Sequence, residues 1–165
     1  MAVQTSSLIG VNFTDASSDA TFAAGTSVTG TDGSQWVYAL AGEAVTQYSF
    51  GVIGTSSTFL NSTDAVVKAA SGKILGVAAA TLTASQYGWF QTKGIGRVRT
   101  NGTTLPNVPL YTCDTETGAT SGCLDNSTNS ASAVQIFGIM VTATGSTTGS
   151  AAPCVINNLV ARWPA

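Results

Sequence analysis

The sequence predicts an all-β fold: a single small β-sandwich or β-barrel domain preceded by an extended N-terminal arm. Three observations carry this expectation. Runs rich in Val, Ile, Thr and aromatic residues recur about every 10–15 residues and are punctuated by Gly. No apolar stripe with a 3.6-residue period is sustained anywhere. Thr (25), Ser (18), Ala (23) and Gly (18) account for 84 of the 165 residues, small side chains that suit tight β packing. The length fits one domain, or one domain plus an arm.

The arm is residues 1–34. There Leu8, Ile9, Val11, Phe13, Phe22 and Val28 stand as isolated apolar residues among Ser, Thr, Gly and Asp, and the turn Thr31-Asp32-Gly33 closes the segment. Scattered large side chains of this kind are expected to dock on a neighbouring surface rather than build a core of their own. Residues 35–165 form the β-rich domain. QWVYALAG and EAVTQYSFGVIG are two β-rich runs separated by Gly42-Glu43, and STFL and AVVKA follow as further short runs before the turn Ser71-Gly72. KILGVAAATLT reads as a buried strand because its apolar residues are nearly continuous. In YGWFQTKGIGRVRT, Tyr87, Trp89, Gln91 and Lys93 fall on one parity, and Gly88, Phe90, Thr92 and Gly94 on the other, as a strand with two different faces requires. Asn101-Gly102 is a hairpin-turn signal. LPNVPLYTC is expected at an edge, because Pro106 and Pro109 cannot donate to a central ladder. AVQIFGIMVTATG and PCVINNLVARW are the last two strands.

Composition excludes several kinds of chemistry. Only 8% of residues are charged, formal net charge is −2, and there is no His. The commonest general base, nucleophile activator and metal ligand are therefore missing, and Ser–His–Asp and Cys–His arrangements cannot be built. A mean hydropathy of +0.26 with 44% apolar residues places the chain among folding sequences rather than disordered ones. No P-loop or nucleophile-elbow pattern occurs. Gly94-Ile95-Gly96 lacks the third glycine of a dinucleotide fingerprint and marks close backbone packing or a bulge instead. The carboxylate pairs Asp114/Glu116 and Asp32/Glu43 lie beside Gly-, Ser- and Thr-rich turns where solvated carboxylates are the norm. The stretch from Asp114 to Asp125 lacks the central Gly and terminal Glu of an EF-hand loop. The sequence thus points to no enzyme, no cofactor and no metal. The N-terminus has no secretory pattern, and the longest apolar run, Ile74 to Ala80, is far short of the ~20 residues a spanning helix needs. A soluble protein made in a cytoplasm, with no membrane partner, is expected, so the four N-x-[ST] sequons at Asn12, Asn61, Asn101 and Asn126 follow from composition. Cys113 and Cys123 bracket a turn-rich stretch that could bring their thiols together as a disulfide, with Cys154 left over; reduced thiols are the cytosolic default.

Charge is segregated along the chain. Residues 1–64 carry Asp15, Asp19, Asp32, Glu43 and Asp64 with no base, and residues 65–112 carry Lys68, Lys73, Lys93, Arg97 and Arg99 with no acid. Either the two sets meet within one subunit, or an acidic arm meets a basic face presented by Lys93, Arg97 and Arg99 on a neighbouring copy. Five bases are too sparse for phosphate neutralisation, so nucleic acid is not an expected partner. The aromatic residues (Trp36, Tyr38, Tyr48, Phe50, Tyr87, Trp89, Phe90, Tyr111, Phe137 and Trp163) read as core or interface anchors. Exposed together, they would instead form a sugar-binding platform.

The segments GTDGSQWVYALAGEAVTQYSFGVIG and ILGVAAATLTASQYGWFQTKGIGRV, in that order, resemble the head decoration, or capsid cement, proteins of tailed bacteriophages. The similarity extends in style to LYTCDTETGATSGCLDN, VQIFGIMV and the ending LVARWPA; the Cys-bracketed loop lies outside its pattern. The resemblance implies a β-rich structural virion protein, commonly a homotrimer. It would sit on the exterior of an assembled capsid and tie adjacent units of the major capsid protein together. The arm residues Leu8, Ile9, Val11, Phe13 and Phe22 and the bases Lys93, Arg97 and Arg99 are the interface candidates. A receptor- or glycan-binding module displayed on a virion or fibre is the alternative.

Overall fold

The computed structural model describes residues 11–69, 73–113, 121–126, 133–145 and 148–162. The fold is all-β, as the sequence predicts. In chain order the strands are β1 (Ser27–Thr29), β2 (Gln35–Ala41), β3 (Phe50–Ile53), β4 (Thr58–Asn61), β5 (Ile74–Ala78), β6 (Tyr87–Thr100), β7 (Leu110–Thr112), β8 (Leu124–Asp125), β9 (Gln135–Val141) and β10 (Ser150–Arg162). All ten belong to one continuous sheet in the order β1-β2-β4-β3-β5-β6-β10-β9-β7-β8. Two further pairings, β2–β6 and β6–β8, close that sheet on itself twice. One ring is β2-β4-β3-β5-β6 and the other is β6-β8-β7-β9-β10, so the domain is two five-stranded barrels sharing β6. Each ring contains one parallel pair, β2–β4 and β6–β8, and is otherwise antiparallel.

Strand β6 can serve both rings because it is 14 residues long, roughly 45 Å at strand rise. Its first half pairs with β2 and β5, and its second half with β10 from Gly94 to Thr100. The register of β2 shifts between Gln35 and Trp36, which leaves Thr92 as an extra residue on β6. Gly94 follows at φ +113, where a Cβ would lie 3.0 Å or less from Ser34 atoms. Only glycine meets both conditions without strain. Of the close packing or bulge expected at Gly94-Ile95-Gly96, the structure has the close packing, Gly94 against Ser34 and Gly96 against Gln91; the bulge is at Thr92, just before β6 passes from one barrel to the other.

Three apolar clusters hold the domain together. Val37, Ala39, Ala41, Val45, Ile53, Phe59, Ala78, Leu82 and Phe90 fill the first barrel, with Phe59 stacked on Phe90 at 4.1 Å. The second barrel's interior (Val98, Leu110, Leu124, Val134, Ile136, Ile139, Val141, Ala152, Cys154 and Ile156) is continuous with Phe50, Val52, Leu75 and Val77 of β3 and β5. These four alternate with Gly51, Ile53, Gly76 and Ala78, so β3 and β5 pack their second face against the second barrel. The third cluster lies outside the first barrel and joins Phe13, Trp36, Tyr38, Ala79 and Trp89.

The structure corrects several expectations. AVVKA is not a strand: Asp64–Lys68 is a short helix, α1, because Thr63 caps its N-terminus by accepting from Val66 N (3.2 Å), with Asp64 in the first turn and Lys68 in the last. Asn101-Gly102 turns the chain but joins no hairpin, since β6 pairs with β8 and β10 rather than β7. β7 is not an edge; it lies between β8 and β9, and the irregular backbone imposed by Pro106 and Pro109 ends before it. Of EAVTQYSFGVIG only the last third is strand.

Candidate interface on the second barrel

Alternation along β6, β9 and β10 sends one set of side chains into the second barrel and the other outward. The outward set includes an exposed apolar row. Ile95 (67% exposed) faces Val155, and Val155 faces Met140 (44%), so these three form a row across three strands. Beyond a break in register between Ile156 and Val160, Val160 (54%) faces Phe137 (39%). Among the described residues eight large apolar side chains are exposed, and five of them lie on the adjacent strands β6, β9 and β10. Contiguous apolar surface on a soluble domain marks a contact site more often than scattered residues do. Arg97 is exposed beside the row, opposite Pro153.

A cleft of about 330 Å³ opens beside Ile95 and Arg97, where the two barrels meet the arm. Its walls are Phe13, Trp36 and Tyr48 with Val77 and Ala78, and its polar groups are Gln47, Gln91 and Arg97. Both glutamines are held by backbone carbonyls: Gln47 Nε2 donates to Ala79 O (2.9 Å), and Gln91 Nε2 donates to Lys93 O and Ile95 O (both 3.1 Å).

The residues singled out from the sequence fall in different places. Leu8 and Ile9 lie outside the described residues. Val11, Phe13 and Phe22 are not presented to a neighbour. They pack on the chain's own first barrel, where Phe13 (3% exposed) stacks on Trp36 and meets Trp89 edge-on, and Phe22 meets Tyr38 and Trp89 edge-on. The reason is that Trp36, Tyr38 and Trp89 project from the outer face of β2 and β6 and would be bare without the arm. Only Arg97 of the three bases projects freely. Lys93 is half-buried opposite Gln35. Arg99 is turned inward, its Nε donating to Gly149 O and an Nη to Ser49 Oγ (both 3.3 Å).

The carboxylates are occupied by structural duties. Glu43 accepts from Asn61 N (2.7 Å). Asp32 accepts from Ser34 N (3.0 Å) and Ser34 Oγ (2.6 Å), and these hydrogen bonds, the hydroxyl's foremost, hold its carboxyl below the usual range. The Ser34 hydroxyl in turn accepts from the buried Trp36 indole N–H (2.8 Å). Asp114 and Glu116 lie outside the described residues, and Asp125 accepts from Asn101 Nδ2 (3.1 Å). Cys113 and Cys123 are brought together because Thr112, just before Cys113, pairs with Leu124, just after Cys123, in the antiparallel β7–β8 ladder. Both are free, buried thiols in mutual contact. Burial pushes Cys113, Cys123 and Cys154 up, Cys154 to about 12. Cys154 belongs to the second barrel's core.

Five of the rings considered for a sugar platform are not available to one, while Phe137 is exposed and Trp163 lies outside the described residues. Trp36, Tyr38, Trp89, Phe50 and Phe90 are buried, and the face of Trp36 is taken by Phe13. Of the apolar surface on β6, β9 and β10 the sequence singles out only Arg97, as a base, and Phe137, as an aromatic anchor. Its signal is the out-facing parity of AVQIFGIMV and PCVINNLV, visible only once the in-facing parity is known. No protein-family model matches the chain, and a search of curated proteins finds no match.

Proposed function

We propose that the protein is a structural decoration protein of a phage capsid, trimeric on the capsid exterior, that cements adjacent units of the major capsid protein without catalysing a reaction. The observation that carries the reading is the exposed row Ile95–Val155–Met140, with Phe137 and Val160 exposed on the same strands, beside the exposed Arg97. A cement needs an apolar contact surface with few charges to desolvate, and this face is of that kind. At ~25 cal/mol per Å² of apolar surface, a patch of a few hundred Å² supplies several kcal/mol per copy before entropy costs. Repetition over a lattice multiplies it. The sequence resemblance to decoration proteins and the interlocked, twice-closed sheet, which leaves few free strand edges, agree with a stress-bearing role.

The test is to add the purified protein to undecorated heads and measure the temperature at which they rupture. A rise, lost on Ile95→Asp with Val155→Asp, is expected. Heads equally robust with and without the protein, combined with lost adsorption when the protein is deleted from the virion, would replace this reading with that of a receptor-binding module.

A further inference from the structure

The two barrels repeat one connectivity, and their backbone bonds correspond residue by residue. Ala41 O accepts from Ser85 N, and Thr100 O accepts from Gly149 N (both 2.8 Å). Val45 exchanges a pair of backbone bonds with Leu82, as Thr104 does with Gly145. Tyr48 (φ 66) donates to Ala78 O, and Asn107 (φ 60) donates to Val141 O. Counting from these anchors, Tyr38 opposite Trp89 corresponds to Arg97 opposite Pro153, and Trp36 opposite Gln91 corresponds to Ile95 opposite Val155.

The two corresponding faces differ in one respect. On the first barrel the face is covered by the arm, with Phe13 over Trp36 and Phe22 against Tyr38 and Trp89. On the second barrel the counterpart, Ile95, Arg97, Pro153 and Val155, carries no segment among the described residues, and Ile95 is two-thirds exposed. We infer that this face is a groove for an extended polypeptide segment of a different protein, one that carries an aromatic side chain with an acidic residue close by.

The chemistry of the groove selects that occupant. Ile95, Pro153 and Val155 offer a flat apolar floor where the first barrel offers Trp36 and Trp89. Arg97 replaces Tyr38, and a guanidinium can stack on an aromatic ring or take a carboxylate bidentately. Met140 at the rim adapts to irregular shapes, and the 330 Å³ cleft beside Arg97 is large enough for one side-chain ring. The chain's own arm shows the pattern, Phe13 with Asp15 two residues on and Phe22 with Asp19 three before it. The arm of a second copy cannot be the occupant at equilibrium, because lifting it would bare Trp36, Tyr38 and Trp89. The inference rests on the decoration reading in one respect: the segment would belong to the shell protein.

The probe is a synthetic peptide with the sequence of residues 11–24, titrated into the full-length, methyl-labelled protein without shell particles. Saturable shifts are expected at the methyls of Ile95, Val155 and Met140, with affinity reduced at least tenfold by Arg97→Glu and lost on Ile95→Asp. A peptide with Phe13→Ala and Phe22→Ala should not bind. No saturable shift up to millimolar peptide would overturn the groove. So would shifts confined to residues around Trp36 and Trp89, which indicate exchange with the resident arm, or shifts of the Ile95 face on diluting the protein alone, which indicate a second copy. Peptide binding with no effect on head rupture keeps the groove and removes the decoration reading; head stabilisation with no peptide binding does the reverse.

Discussion

Phe13 stacks on Trp36 with ring centroids 4.5 Å apart and planes 17° from parallel, and both rings belong to the same chain. The contact makes the described part of the arm a structural layer of the first barrel rather than a free tether. Trp89 meets Phe13 edge-on at 5.5 Å, so the layer has the mixed stacked and T-shaped geometry that aromatic quadrupoles favour.

Phe13→Ala should therefore destabilise the isolated protein by about 3–5 kcal/mol, the usual cost of removing a fully buried Phe. Denaturant unfolding at two protein concentrations checks this. A loss under about 1 kcal/mol, or one that depends on concentration, would mean that the arm is held mainly by a neighbour.

The two arginines of β6 should behave differently although they sit two residues apart. Arg97 is exposed, and Arg97→Glu should leave the melting temperature within a degree or two while weakening attachment to shells. Arg99 is half-buried, holds Gly149 O and Ser49 Oγ, and its backbone N–H donates to Tyr48 O (2.9 Å). Arg99→Glu reverses a charge among carbonyl and hydroxyl oxygens and should cost about 2–4 kcal/mol. Equal melting temperatures for the two variants would contradict the inward placement of Arg99.

These contrasts show what the sequence could and could not convey. Strand positions were legible because Gly punctuates them and because the start of β6 alternates, with Trp89 outward and Phe90 inward. The expected single small all-β domain is what the structure has, but the sharing of β6 by two rings was illegible because it depends on non-local pairings such as Thr100 with Leu124. The duplication was illegible because corresponding positions hold different residues: Ala41 and Thr100, Val45 and Thr104, Phe59 and Leu124, Phe90 and Cys154. Backbone register is conserved between the barrels while side-chain volumes are exchanged within each core. The helix at Asp64 was hidden by its valines, whose β preference is weaker than the Thr63 cap and the burial of Val67. Of the candidate site, Arg97 was legible as charge, but the apolar row emerges only where three strands lie in register.

Alkaline stability should reflect the buried thiols. A thiol's ordinary value is 9.0, and burial raises Cys154 to about 12, with Cys113 and Cys123 also raised. Below pH 9 both folded and unfolded chains hold these thiols neutral, so their contribution is fully present. Between pH 9 and 12 the unfolded chain loses protons that the folded chain keeps, and stability falls. Unfolding free energies measured from pH 7 to 11 should decline with a slope that is shallower in Cys154→Val. An unchanged slope would show that Cys154 titrates alike in both states. The native thiols should also react slowly with a thiol reagent at pH 8, since the thiolate is the reacting form.

The last prediction concerns how the barrels are joined. The Thr112 hydroxyl on β7 donates to the Asp64 carboxylate at the start of α1 and accepts from Val134 N (3.0 Å), all in buried surroundings. Thr112→Val keeps shape and volume, removes one partner from a carboxylate and leaves the Val134 N–H without its acceptor. Each loss costs about 1–3 kcal/mol when buried, giving about 2–6 kcal/mol together. Because Asp64 belongs to the first barrel's connection and Thr112 to the second barrel, and because one apolar cluster spans both, the whole amount should appear in a single unfolding transition. Hydrogen exchange separates the alternatives. If protection falls equally for amides of β2 and β9, the barrels unfold as one unit. If only β7–β10 lose protection, the shared strand does not couple them, and the second barrel is an independently melting lobe on a stable first one.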